Sequence, residues 1–141
     1  MADELRVEAA VENLSAVTAF VTAPLAVLHC TQKERFQIEL VTEEIFVNIA
    51  SYAYPASSGS VVIERRTMTD PPALCLTFRD SGIPYDPLQQ EPPDLTLELK
   101  DRPIGGLGVF LVREIVDEMR YEYRDGQNVL TLTKIIRPDS T

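Results

Sequence analysis

The sequence predicts a two-layer α/β sandwich, a mixed but mostly antiparallel sheet with helices on one face, and three observations carry that prediction. Residues 61–65 and 74–79 are short β-patterned runs joined by a tight Asp70-Pro71-Pro72 link, which reads as an antiparallel hairpin. Residues 120–123 and 128–133 repeat the pattern around Asp125-Gly126, a strong tight-turn signal. Two helical stretches, one after Thr31 and one opened by Gly105-Gly106-Leu107-Gly108, carry apolar sets wide enough to bury against a sheet. With 141 residues, 45% apolar and 25% charged, no internal repeat and no second-domain boundary, the chain reads as a single domain, 1–141, with one core.

Taken in order, Leu5 to Val11 alternates apolar and polar side chains, the mark of a half-buried strand whose edge could pair in a homodimer. Asn13 or Ser15 can cap a helix through Ala16, Val17, Phe20 and Val21, which Pro24 interrupts or kinks. Thr31 is the next N-cap, and Glu34 three residues on completes a capping box. From there a helix of about 20 residues can run to Tyr54-Pro55. Ile38, Val41, Ile45, Ile49 and Tyr52 fall on one apolar stripe of it. After the first hairpin, residues 85–104 hold Pro87, Pro92, Pro93 and Pro103 among acidic side chains, and are read as a mobile flap. The helix that follows bears Val109, Leu111, Val112, Ile115, Val116 and Met119, and from Arg137 the chain is a polar tail.

Composition excludes several classes of function. A formal net charge of -9 supplies no Lys/Arg cluster for a nucleic-acid backbone. No apolar run is expected to approach the roughly 18 residues of a membrane span, and the acidic start Met1-Ala2-Asp3-Glu4 is unlike a signal peptide. A cytoplasmic protein is therefore expected. Cys30 and Cys75 have no metal-ligand spacing and there is a single histidine, so both are read as small core residues.

Three stretches carry chemistry. Glu44 and Asn48 sit four apart along the edge of the long helix's stripe, while Glu39 and Glu43 turn to the opposite side. Asp80-Ser81-Gly82 follows a strand and is either a plain turn or a carboxylate placed to accept a hydrogen bond from an exocyclic amine. Gly106-Leu107-Gly108 opens a helix, either to pack closely on the sheet or to leave N–H groups free for phosphate at the positive end of the helix dipole. The amide oxygen of Asn48 is a hard ligand suited to Mg²⁺.

In this order the stretches resemble the boxes of the GHKL ATPase superfamily, which includes gyrase, histidine kinases and the mismatch-repair protein MutL. The detail is similar to the stand-alone anti-sigma-factor serine/threonine kinases of bacteria. Residues 43–54 match the N box, Arg79 to Pro87 the G1 box and Gly105 to Val112 the G2 box, so the resemblance runs from Leu5 to Lys134. It implies the Bergerat ATP-binding fold, ATP and Mg²⁺, with residues 85–104 as the ATP lid. Asn48 would coordinate Mg²⁺, Asp80 would bond the adenine amine, and Gly82 would let the backbone approach the base. The N–H groups of Gly106, Leu107 and Gly108 would hold phosphates, and Glu44 would be the general base toward a partner's hydroxyl. Lys100 or Arg102 would reach the γ-phosphate, or form a solvated basic pair.

The chain departs from the resemblance after the N box, and its G2 segment is glycine-poor compared with full sensor kinases. Many relatives carry a histidine shortly after the N-box asparagine, where this sequence has Ser51-Tyr52. The implied partners are a STAS-type anti-anti-sigma protein as phosphate acceptor and a sigma factor or other regulator. His29 lies among the first helices rather than on a phospho-acceptor domain, so histidine autokinase activity is not expected. The alternative function is an ATP-dependent protein-binding module without effective phosphoryl transfer, and a third is a scaffold with chance motifs.

Overall fold

The computed structural model describes residues 2–89 and 106–137. Five strands form one sheet in the order β1-β2-β3-β5-β4: β1 (Asp3–Glu8), β2 (Ser60–Thr69), β3 (Pro72–Asp80), β4 (Glu118–Arg124) and β5 (Gln127–Ile135). All four pairings are antiparallel, so the mixed sheet allowed by the sequence reduces to its antiparallel form. Side chains alternate along a strand, and the inward row Leu5, Ile63, Phe78, Leu130, Tyr121 crosses all five strands in register. Two residues further along, the next row reads Val7, Val61, Asp80, Asn128, Tyr123. The sheet thus turns polar on the inward side at the ends of β3 and β5.

The helices cover this inward face, as the sequence predicts: α1 (Leu14–Thr22), the single turn α2 (Leu25–Leu28), α3 (Gln32–Tyr52) and α4 (Gly106–Ile115). Their side chains Val17, Val21, Leu25, Ile38, Val41, Ile45, Phe46 and Val112 join the sheet residues in one core. The outward face is polar, as a one-sided antiparallel sheet allows. On it Arg79 bridges Glu64 at 2.6 Å and Glu4 at 3.3 Å.

The capping box forms as written. Thr31 Oγ1 accepts from Glu34 N at 3.1 Å, and Glu34 Oε1 accepts from Thr31 N at 2.9 Å. Glu34 is only 5% exposed, and its other oxygen accepts from Arg137 N at 2.6 Å, so the first residue of the expected tail is fastened to the start of α3. Residues 138–141 lie outside the described residues. Of the expected flap, Pro87–Gln89 make a 3₁₀ turn, and the rest from position 90 also lies outside them.

Several expectations are corrected. β1 ends at Glu8 rather than Val11, because the Ala9 amide turns to Gly59 O at 2.8 Å and residues Val11–Asn13 form a 3₁₀ turn. Asn13 precedes α1, but its side chain donates to Glu8 O at 2.9 Å and caps no helix N–H. α4 stops at Ile115, and Met119 belongs to β4 opposite Leu132, because the Asp117 amide joins the sheet through Thr133 O at 2.8 Å. Tyr52 is 49% exposed instead of closing the α3 stripe, while Thr42 and Phe46 are fully buried and widen it. Both cysteines are free and half-buried, Cys75 because it points outward between Leu74 and Leu76.

The apolar-run expectation is corrected too. Val11–Leu28 is an 18-residue window with mean hydropathy 1.5, long and apolar enough to cross a membrane by length and composition. Here it is broken into a 3₁₀ turn, α1 and α2, with His29 left-handed at its end, and it lends Val17, Val21, Leu25 and Leu28 to the core.

Candidate functional site

Where the second inward row turns polar, a cleft opens between α3 and the ends of β3 and β5. Ile45, Ile49, Phe78 and Leu130 give it an apolar wall, and Asn48, Tyr52, Asp80, Tyr85, Tyr121 and Asn128 bring polar groups to it. Such a slot, mostly apolar with a few placed polar atoms, suits a flat heterocycle.

Asp80 is 5% exposed. Its Oδ1 accepts from Gly82 N at 2.9 Å and from Asn128 Nδ2 at 3.0 Å. Among the described residues no donor reaches Oδ2, and Asp80 is one of the residues that line the cleft. A carboxylate oxygen held in this way is an acceptor for a ligand N–H.

The turn after Asp80 is tied to the end of α3. Ile83 N donates to Ala53 O at 2.9 Å. A Cβ on Gly82 would fall 2.2 Å from that same carbonyl, so this packing requires the glycine. Tyr54 Oη donates to Ser60 O at 2.7 Å and accepts from Ser81 N at 2.8 Å, bracing the end of α3, the start of β2 and the turn. Burial pushes the Tyr54 phenol up.

At its other end the site is made by α3 and α4. Glu44 lies one turn before Asn48, with its carboxylate against Gly108, where an added Cβ would meet Oε2 at 1.9 Å. Burial, then the charge of Glu43, holds the Glu44 carboxyl above the usual carboxylate range. Gly106 and Leu107 are the first two residues of α4, whose N-terminal N–H groups have no partner within the helix itself. α3 therefore sets out Ala53 at the Gly82 turn, Asn48 in the cleft and Glu44 at α4 over about 13 Å of helix axis.

The structure thus brings Asn48 and Asp80 into one cleft and Glu44 against Gly108. Lys100 and Arg102 lie outside the described residues. Among the described residues no group of three metal-ligating side chains forms. A single amide donor beside a phosphate site still fits Mg²⁺, which keeps waters and shares substrate phosphates instead of taking an all-protein cage.

Asn128, Tyr121, Tyr85 and Tyr54 were not picked out by the sequence reading. For Asn128 a signal existed: in the run Asn128-Val129-Leu130-Thr131-Leu132, alternation puts Asn128 on the same inward side as Leu130 and Leu132.

Comparison with known proteins agrees with this geometry. Residues 7–134 match the family model of the histidine kinase-like ATPase domain. The serine/threonine-protein kinase BtrW of Bordetella bronchiseptica is 35% identical over 108 residues, 75% of this chain and 74% of that protein. The anti-sigma F factor of Priestia megaterium is 26% identical over 118 residues, 84% of this chain and 80% of that one. The crystal structure of the RsbU and RsbW domains of Rv1364c from Mycobacterium tuberculosis superposes with a TM-score of 0.65 at 18% identity. It covers 96% of this chain, which spans 33% of that longer one, and the likeness carries the fold alone. With residues 7–134 inside the family model, the chain belongs to the histidine kinase-like ATPase family, the GHKL group.

Proposed function

We propose that the protein is an ATP-dependent serine/threonine protein kinase that phosphorylates a STAS-type anti-anti-sigma partner in the cytoplasm and also binds a sigma factor or other regulator. The observation that carries this reading is the layout along α3: an amine-accepting carboxylate at the Ala53 end, Asn48 in the middle, and a carboxylate at the phosphate-binding end. Asp80 Oδ2 accepts the adenine amine. The first N–H groups of α4 hold phosphate oxygens. Asn48 offers its amide oxygen to Mg²⁺, which when bound neutralises phosphate charge. Glu44 takes the proton of the attacking serine or threonine hydroxyl, and its raised pKa brings a general base nearer the working pH. Little covalent chemistry remains for the protein, so positioning along α3 supplies most of the catalysis. The names of the relatives, a serine/threonine kinase and an anti-sigma factor, support the reading.

The test is transfer of labelled γ-phosphate to a STAS partner with Mg²⁺. Wild type should transfer it and Glu44→Ala should not; no transfer to any STAS protein would overturn the kinase reading. A second reading, a binding module ordered by ATP, is favoured by Glu44 resting against Gly108 instead of lining the cleft. Nucleotide-dependent partner binding that survives Glu44→Ala, with ATP recovered intact, would select it.

A further inference from the structure

Asn128 stands directly opposite Asp80 in the β3–β5 pairing, and its side chain makes four hydrogen bonds. Nδ2 donates to Asp80 Oδ1 at 3.0 Å and to Ile83 O at 2.8 Å. Oδ1 accepts from Tyr85 N at 3.1 Å and from the Tyr121 hydroxyl, which itself accepts from Tyr85 N at 3.3 Å. An asparagine amide has two N–H donors and one oxygen with two lone pairs. All are in use, so Asn128 has nothing left to offer a base. Yet it is 6% exposed, at the edge of the cleft, where a polar side chain without a purpose would be costly.

We infer that Asn128 is the positioning residue that sets the 6-amino selectivity of the base pocket, acting through Asp80. Its Nδ2 takes Asp80 Oδ1 out of play, which leaves Oδ2 as the oxygen for the ligand and makes the pocket an acceptor at that point. Its grip on Ile83 O and Tyr85 N holds the chain beyond the turn in place while Oδ2 is presented. The Tyr121 hydroxyl fixes which way round the amide sits: with Oδ1 pinned by two donors, Nδ2 must face Asp80.

This inference rests on the ATP reading above and goes beyond it. A purine with a carbonyl at position 6 presents an acceptor where the 6-amino donor stood and moves its nearest donor to N1–H, one ring atom away, so inosine triphosphate should bind more weakly than ATP to an Oδ2 fixed for the 6-amino group. Asn128→Asp is nearly isosteric but puts a second carboxylate within hydrogen-bond distance of the first. Two carboxylates so placed share a proton. The shared proton lies between Asp80 Oδ1 and the introduced carboxylate and lowers the negative charge on Asp80, so Oδ2 becomes a weaker acceptor and the 6-amino base loses more than the 6-oxo base.

The experiment measures the dissociation constants of Mg-ATP and Mg-ITP by calorimetry for wild type, Asn128→Asp and Tyr121→Phe, with circular dichroism to confirm folding. Wild type should prefer ATP. In Asn128→Asp the ATP:ITP affinity ratio should fall by about tenfold or more, the effect of exchanging one hydrogen bond to a charged group, and the fall should shrink as pH rises and the shared proton leaves. Tyr121→Phe, which frees the amide to turn over, should lower the ratio less. If Asn128 only braces the fold, both nucleotides weaken together and the ratio holds, which overturns the inference while the ATP site stands. If Asn128→Asp does not fold, an unchanged ratio in Tyr121→Phe overturns it and a lowered one supports it. Wild type binding neither nucleotide would overturn the ATP reading and this one with it.

Discussion

Adding one methyl group at Gly108 should separate catalysis from stability. An ideal Cβ there lies 1.9 Å from Glu44 Oε2, 2.7 Å from Cδ and 3.4 Å from Cγ. To restore ordinary van der Waals contact the Glu44 carboxylate must swing away by about 1.5 Å, the gap between 1.9 Å and 3.4 Å. That swing is cheap, since the obstacle is the far end of a flexible side chain. Alanine in a helix interior also gains about 0.5–1 kcal/mol over glycine. Gly108→Ala should therefore fold as well as wild type or better. Phosphoryl transfer is far less forgiving of position, and a misplacement of about 1 Å can cost on the order of 100-fold in rate. Single-turnover transfer to the acceptor protein should fall by about that factor, while ATP affinity changes less than threefold or so because the N–H groups of α4 remain. Glu44→Asp, shorter by one methylene, should tolerate the added methyl better than Glu44 does, so its rate should be nearly indifferent to Gly108→Ala. A wild-type transfer rate in Gly108→Ala, or a loss confined to ATP affinity or melting temperature, would refute the placement of Glu44 as the proton acceptor.

Four further outcomes follow from the same contacts. Mg-ATP at about 100 times its dissociation constant should add about 2.7 kcal/mol to wild type, several degrees in a thermal melt, and Asp80→Asn should lose that shift while still folding; an equal shift in the variant would remove Asp80 from the site. Glu44 has a folded-state pKa above its unfolded value, so its contribution is present at low pH and lost as pH rises through the folded value. Glu44→Gln should accordingly match or exceed wild type in urea denaturation at neutral pH, by at most about 1 kcal/mol. Transfer by wild type should fade on the acid side at a pH above the ordinary carboxylate range, and a fade within that range would contradict the burial of Glu44. Burial opposes the ionisation of Glu34, yet hydrogen bonds from the Arg137 and Thr31 amides hold its carboxyl below the usual range. Its stabilisation is thus present above the unfolded pKa and lost as pH falls through the folded one. Glu34→Gln should cost about 1–3 kcal/mol at pH 7 and flatten the decline in melting temperature toward acid, and an unaltered decline would show that the clasp at Arg137 carries no pH dependence.

What the sequence told, it told through local rules. The Thr31–Glu34 capping box, the Asp125-Gly126 turn and the alternation along β3 each rest on residues within a few positions of one another, and each appears in the fold as expected. Elements ending on long-range pairing were misjudged. Val11 keeps the alternation of β1 but has no partner on β2 once Ala9 turns to Gly59. Met119 fits the helical period of α4 equally well, and only the pairing of β4 with β5 puts it in a strand. The site divides in the same way. Glu44, Asn48, Asp80 and the glycines stand in compact motifs, whereas Asn128 and Tyr121 join the cleft only through register with strands far away in sequence.

Ser51-Tyr52, which stand where the resemblance implies a histidine, can now be weighed by distance, taking Tyr52 as the side chain at the cleft. Tyr52 lies eight residues beyond Glu44 on α3, or about 12 Å along the axis. It lines the base end of the cleft and is half exposed to solvent. Burial, then the Tyr52 hydroxyl, pushes the Tyr85 phenol up, and both tyrosines line the cleft. A charge on a histidine at position 52 would reach Glu44 only across more than a Debye length of partly solvated space, where its influence is largely screened. The replacement therefore bears on how the cleft mouth would meet a ligand, and leaves untouched the contact of Glu44 with Gly108 on which the proposed proton transfer rests. On the kinase reading, the absence of this histidine should alter nucleotide affinity first and leave the proposed general base, Glu44, unaffected.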